Sequence, residues 1–200
     1  MIYLHHTPLI FILPNYQGRL NSNDRECIRA YRHRLLSQFC QTHHLPTPIY
    51  DKDKYGKPFC QNVANLSFNH SHCASDYALI YGFDIKNIGV DIENIHRKLN
   101  FYDLAKRYFH ADEYVLWQHE DCDECLWFKL WTIKEAVLKA SGIGIRLPLN
   151  EIKAVFMDDD TGYVYHQDMG KFYFKNKMIN DCVITVAYPF EYRKIIVSFS

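Results

Sequence analysis

Asp123-Glu-Cys-Leu-Trp-Phe-Lys-Leu-Trp-Thr-Ile-Lys-Glu-Ala-Val-Leu-Lys-Ala140 is the stretch from which the fold can be read. Phe128, Trp131, Val137 and Leu138 recur at helical spacing, and Gly142 and Gly144 follow as stop signals. The pattern predicts a helix from about Asp123 through Ala140. Short strand-like runs come after it, at Glu151–Met157, Gly162–His166, Lys171–Phe174, Cys182–Tyr188 and Lys194–Phe199, separated by Gly- or Asn/Asp-containing turns. Working outward to the N-terminus, the same order appears again. Ile28, Tyr31, Leu35, Leu36 and Phe39 mark a helix that starts near Asn23, where Asn23 and Glu26 resemble a capping box, and ends before Pro46. Strand-like runs follow at Leu66–His72, Asp76–Phe83 and Ile88–Asn94. Smaller helical stretches lie near Tyr102–Tyr108 and Asp112–Gln118. A long helix followed by antiparallel strands thus occurs twice. We expect an α+β fold built from two similar halves, residues 1–100 and 101–200, with a site in the cleft between them.

Composition bounds what such a fold can do. The chain has 23 Lys+Arg against 23 Asp+Glu, and zero net charge argues against a partner captured by a large positive field, such as nucleic acid or an anionic membrane. Residues 1–100 hold 11 basic and 8 acidic residues and residues 101–200 hold 12 and 15, a split that fits a binder of a phosphorylated small molecule plus a cation and equally fits many proteins that bind neither. At 48% apolar residues, a core forms without disulfide staples. The seven cysteines are odd in number and scattered, which reads as free thiols in a reducing cytoplasm. Cys122-Asp-Glu-Cys125 has no second pair to complete a zinc ribbon. The N-terminal apolar run is short and has no basic residue before it, so it reads as a strand and not as a signal peptide. No stretch is long and apolar enough for a membrane span.

Four short constellations carry chemistry. In Ile88-Gly-Val-Asp-Ile-Glu-Asn94, Asp91 and Glu93 are two apart on a strand and share a face, while Val90 and Ile92 face the core. Paired carboxylates repel unless a cation sits between them, and magnesium takes such oxygens together with waters and phosphates; the alternative is a solvated strand face. On the helix, Trp131, Glu135 and Lys139 lie at i, i+4 and i+8 on one face, so Glu135–Lys139 reads either as a surface ion pair or as a base and cation aimed at one point. In Leu66-Ser-Phe-Asn-His-Ser-His72, His70 and His72 alternate with Ser71, which suits either a metal or a phosphate. Lys57, in the turn Tyr55-Gly-Lys-Pro58, projects as a point charge fit for a phosphate.

The order of these motifs resembles the Sfp-type, two-half branch of the 4′-phosphopantetheinyl transferases. The similar region runs from Gly56 to about Leu149 and includes Ser141-Gly-Ile-Gly-Ile-Arg-Leu-Pro-Leu149. The resemblance implies a monomeric, pseudo-twofold pair of α+β halves. It implies transfer of the phosphopantetheine arm of coenzyme A to a serine of an apo acyl or peptidyl carrier protein, with release of adenosine 3′,5′-bisphosphate. By the same resemblance Asp91, Glu93 and Glu135 surround a magnesium ion, and Glu135 also helps to deprotonate the serine. Lys139 neutralises the bridging oxygen. Lys57, Ser71 and His72 match positions that hold the nucleotide end. The family's basic phosphate ligands do not align with the segment before Gly56, where Arg34 is the first candidate and Arg25 the second. His70 stands where the family has an aliphatic residue, and so is expected to be partly exposed or hydrogen-bonded. A non-catalytic coenzyme A or carrier-binding module on the same fold is the alternative. A metal-dependent nuclease is disfavoured by the lack of a basic field.

Overall fold

A computed structural model describes residues 1–54, 56–189 and 197–199. Tyr55 of the expected turn and the start of the expected strand Lys194–Phe199 lie outside the described residues. The elements in chain order are β1 (Ile2–Pro8), α1 (Ser22–Thr42), β2 (Tyr50–Lys52), β3 (Pro58–Cys60), β4 (Leu66–His72), β5 (Asp76–Phe83), β6 (Gly89–Asn94), α2 (Phe101–Tyr108), α3 (Ala111–His119), α4 (Glu124–Ser141), β7 (Ala154–Phe156), β8 (Thr161–His166), β9 (Gly170–Ile179), β10 (Cys182–Pro189) and β11 (Val197–Phe199). The α+β class and the strands over 66–72 and 76–83 agree with the sequence reading. No helix among the described residues is long and apolar enough to cross a membrane.

The strands form two larger sheets, ordered β11-β1-β5-β4 and β6-β10-β9-β8-β7, and a hairpin β2-β3. Among the described residues all ladders are antiparallel except β1 with β11. Alternation along the strands sorts the core into layers. Tyr77 and Leu79 of β5 pack with Leu36 and Phe39 of α1. Their neighbours Ala78 and Ile80 turn the other way, onto Val90, Ile92, Ile184 and Val186 of the second sheet. Beyond that sheet, α4 covers Val183 and Ala187 with Phe128, Ile133 and Val137. The order is helix, sheet, sheet, helix.

Two strands cross the boundary expected at residue 100. β6 precedes that point yet is hydrogen-bonded to β10, with Asp91 opposite Thr185. β11 belongs to the second half and pairs with β1. The duplication in the pattern is therefore not a division into separate sheets, because each sheet borrows a strand across the midpoint.

Local signals set the helices. α4 has Asp123 as its N-cap, accepting from Leu126 N, and ends at Gly142 in the left-handed region (φ 75°), close to expectation. The capping box of α1 sits two residues earlier than the sequence suggested: the Asn21 side chain accepts from Asp24 N, and Asp24 accepts from Asn21 N. Asn21 and Asp24 offer the same spacing of polar side chains, so the register could not be told from pattern alone.

Two contacts position the functional region. A Cβ on Gly89 would overlap the carbonyl oxygen of Ala136 and stand 2.5 Å from Ala140 N, so β6 meets α4 backbone to backbone. On the other side, Arg32 is buried and its Nη1 donates at 2.6 Å to His70 Nε2, tying α1 to β4. Burial foremost, and Arg32 and Lys139 next, hold the half-buried His70 imidazole down to about 3, so it is neutral. A neutral ring with Nε2 as acceptor is what the arginine requires.

Two expected outcomes follow. Gly89→Ala meets the α4 backbone at both Ala136 and Ala140 and costs about 3 kcal/mol or more, read by urea unfolding. His70 has a folded pKa below its unfolded value, so the unfolded chain binds a proton that the folded one refuses. Stability is then lost as pH falls below the unfolded value of about 6.5. His70→Gln keeps the acceptor without the titration, so thermal melts taken from about pH 7 down to pH 5 decline less steeply in the variant than in the wild type.

Candidate active site

The carboxylate side of the site is built at the seam where β4, β6 and α4 meet. Parity on β6 sends Val90 and Ile92 into the core between the sheets and leaves Asp91 and Glu93 on the opposite face. Asp91 is buried. Lys139 Nζ donates to Asp91 Oδ1 at 2.7 Å, to Ser71 Oγ at 2.8 Å and to Val90 O at 3.2 Å. Ser71 Oγ donates to the same Asp91 oxygen at 2.8 Å. Asp91 Oδ2 is buried without a hydrogen-bond partner. The Glu135–Lys139 pair read from spacing is thus no surface ornament, since its lysine bridges helix and strand.

Burial, and after it the nearby Asp91 carboxylate, raises Glu135 above the usual range, with Lys139 opposing. Burial pushes Glu93 up to about 7 against the pull of Arg97, whose Nη1 donates to Glu93 Oε1 at 2.6 Å. Among the described residues the donor atoms of Asp91, Glu93 and Glu135 do not close to within 4.8 Å of one another; only Cys73, Asp76 and Cys182 form such a group.

The basic side lies across His70. A cleft of about 720 Å³, a size that accepts a small-molecule ligand, is lined by Arg19, Arg25, Arg29, Arg32, Arg97 and His72, with Glu93 at its edge. Arg25, Arg29 and Arg32 fall at i, i+4 and i+7 of α1 and share its cleft-facing side. Arg34 does not: it is exposed, with its guanidinium 5.0 Å from the centre of the Tyr31 ring. Two residues past Arg32, a helical side chain has swung round to the other side, so the structure sets Arg34 outside the cleft and brings in Arg25. The signal that groups the cleft-lining arginines is their three-and-four spacing.

Lys57 sits differently from the projecting point charge that was expected. Lys57 Nζ donates to Lys139 O at 2.7 Å, covering a terminal carbonyl of α4, and burial lowers its pKa. It lines a second recess with His70, Lys139 and Arg146. Ser71 is engaged with the carboxylate cluster through Asp91. His72 is exposed and borders the arginine cleft.

One residue within the motif carries a part that sequence reasoning missed. Lys134 is fully buried, 2.6 Å from the equally buried Glu113. It donates to the carbonyls of Leu149 and Ile152, while Glu113 accepts from Ala154 N at 2.8 Å. This network locks α4 to α3 and to the segment leading into β7. It fixes the helix turn from which Glu135 projects. An apolar-looking helix centre gave no warning of a buried ion pair.

Comparison with known proteins places this arrangement. Residues 87–187 match the family model described as the 4′-phosphopantetheinyl transferase superfamily. A 4′-phosphopantetheinyl transferase of Bacillus subtilis is 36% identical over 108 residues, which cover 53% of this chain and 46% of that one. The 4′-phosphopantetheinyl transferase Sfp of Bacillus subtilis (strain 168) is 33% identical over 112 residues, covering 55% and 48%. HetI of Nostoc sp., also named a 4′-phosphopantetheinyl transferase, is 34% identical over 107 residues, covering 48% and 42%. The solved holo-[acyl-carrier-protein] synthase of Thermotoga maritima aligns with a TM-score of 0.45 and 17% identity over 52% of this chain and 62% of that one. The chain spans about half the length of the curated relatives it matches. Its matched segment contains β6 and α4, the elements that carry Asp91, Glu93, Glu135 and Lys139. The chain belongs to the 4′-phosphopantetheinyl transferase superfamily, within its Sfp-type branch.

Proposed function

We propose that the protein transfers the phosphopantetheine arm of coenzyme A to a serine of an apo acyl or peptidyl carrier protein, and that it does so with magnesium. The observation that carries this reading is the juxtaposition of a buried carboxylate cluster on β6 and α4 with an arginine-lined cleft on α1. A coenzyme A molecule presents two anionic centres that such a site separates, the pyrophosphate and the 3′-phosphate.

The donor set suits a hard cation. Asp91 Oδ2 is a buried anionic oxygen with no partner, and Glu93 and Glu135 are both raised by burial and by Asp91. Magnesium needs only one or two carboxylates directly, since it keeps waters and substrate phosphates. Asp91, Glu93 and Glu135 would hold it, and its chemistry there is to neutralise pyrophosphate oxygens.

In the transfer, the serine hydroxyl oxygen attacks the phosphorus that bears the pantetheine. The bond from that phosphorus to the bridging oxygen breaks, and adenosine 3′,5′-bisphosphate departs. Glu135 takes the serine proton, and its raised pKa makes it a better acceptor than a free glutamate. Lys139, one turn further along α4, sets its ammonium against the charge gathering on the bridging oxygen. Arg25, Arg29 and His72 receive the 3′-phosphate by charge-assisted hydrogen bonds. Arg32 stays engaged with His70 and holds that wall of the cleft in place. Carrier helices acidic around the serine would find the basic excess of residues 1–100 favourable.

The test is to incubate the full chain with coenzyme A, magnesium and a panel of apo carriers and to weigh each carrier. The expected result is a gain of one phosphopantetheine on at least one carrier; no gain on any of them overturns the reading. Glu135→Gln and Asp91→Asn each lower the rate by about 100-fold or more while leaving the thermal melt close to wild type, and rates near wild type would remove these residues from their roles. Arg25→Ala raises KM for coenzyme A about tenfold, whereas Arg34→Ala leaves it unchanged. With coenzyme A lacking the 3′-phosphate, the effect of Arg25→Ala disappears.

A further inference from the structure

At the far end of the same seam lies a group that the transfer chemistry does not use. The three-residue turn Cys73-Ala-Ser75 joins β4 to β5, and Cys182 opens β10 of the other sheet. The two sulfurs are 4.0 Å apart, and Cys182 Sγ is 3.3 Å from Asp76 Oδ2. The donor atoms of Cys73, Asp76 and Cys182 all lie within 4.8 Å of one another, the one such group among the described residues. We infer that Cys73, Asp76 and Cys182 form a binding site for a thiophilic divalent cation of the zinc class.

The spacing fits that chemistry. On a tetrahedral zinc with bonds of about 2.3 Å to sulfur and 2.0 Å to oxygen, two thiolates stand about 3.8 Å apart, and a thiolate and a carboxylate oxygen about 3.5 Å. The observed 4.0 and 3.3 Å bracket those values closely. Backbone and neighbours already hold the ligands in place. Cys73 N donates to Asp76 O at 3.0 Å, and Leu9 N to Ser75 O at 2.7 Å, which closes the turn. His6 Nε2 lies 2.8 Å from Asp76 Oδ1 and turns the other oxygen to the sulfurs, the outer-shell pairing of carboxylate and imidazole that orients metal ligands. Asn94 Nδ2 donates to Ser75 Oγ at 3.1 Å. Cys182 and Asp76 are buried, while Cys73 is half-buried and lines the arginine cleft, which leaves a fourth position for a solvent oxygen. Binding displaces the thiol protons into water. Two sulfurs and one carboxylate favour zinc over magnesium, so this site and the carboxylate cluster select different ions.

Zinc chloride titrated into the reduced full chain against a chelating indicator is expected to show one tightly held ion per chain. Cys73→Ser weakens it by more than about 100-fold, since even the loss of an outer-shell partner costs 10–100-fold. The double variant Cys122→Ser/Cys125→Ser binds as the wild type does. Cobalt(II) added to the wild-type chain gives a thiolate-to-metal absorption band, a readout that does not depend on any variant folding. A cobalt complex without that band, zinc affinity unchanged in Cys73→Ser, or loss of the ion in the Cys122/Cys125 variant would each overturn the inference.

Discussion

β6 can lie on α4 only because residue 89 has no side chain. Gly89 lets the strand approach the helix backbone at Ala136 and Ala140, and small residues on the helix complete the fit. From that contact the rest of the site follows by periodicity. Two residues along the strand comes Asp91, and three residues beyond Ala136 on the helix comes Lys139, which reaches it. A strand held one side-chain layer further away would leave a lysine unable to span to both Ser71 and Asp91. The chemistry therefore rests on a packing constraint at a glycine that itself touches nothing reactive.

That close contact also decides the electrostatics. Drawing three carboxylates towards one seam costs free energy through burial and mutual repulsion. The cost shows in the upward shifts of Glu135 and Glu93. Lys139 and Arg97 offset part of it, each by engaging one carboxylate. The second buried pair, Lys134 with Glu113, fixes the neighbouring helix turn. The even charge total of the chain thus hides a partition. Acidic groups gather where β6 meets α4 and arginines gather along α1, with the neutral His70 between them.

Much of this was legible in the sequence, for reasons particular to each element. Period-two alternation gave β4 and β5 end to end, and it put Asp91 and Glu93 on the face away from the core. Capping residues and glycines bracketed α4. What local pattern does not encode is direction and partner. Arg34 and Arg25 differ only in which side of α1 they occupy, and that depends on where the helix packs. Lys57 looks mobile in a turn, yet the end of α4 supplies it with a carbonyl from far along the chain. The midpoint at residue 100 fits the repeat of helix and strands, but β6 finds its hydrogen-bond partner in β10, and no local pattern encodes a partner.

The crossing of β6 has a mechanical consequence. Were the two halves separate, the cleft could open by a hinge between them, and the carboxylates of β6 would part from Glu135 as it did so. Because β6 is laddered to β10 and backed by α4, its carboxylates move with the second half. The joint that can yield lies instead between β6 and β4. No continuous backbone ladder spans it: Asn69 Oδ1 accepts from Val90 N, and Ser71 reaches Asp91. Side-chain bridges of that kind break and re-form singly, whereas a ladder yields only cooperatively. The wall carrying His70 and His72 is thus joined to the carboxylates by side-chain contacts, whereas the strand that bears Asp91 and Glu93 is held by a backbone ladder. On the proposed function, a seam of this construction would suit a site that admits a long, doubly anionic substrate and still holds its reacting groups fixed.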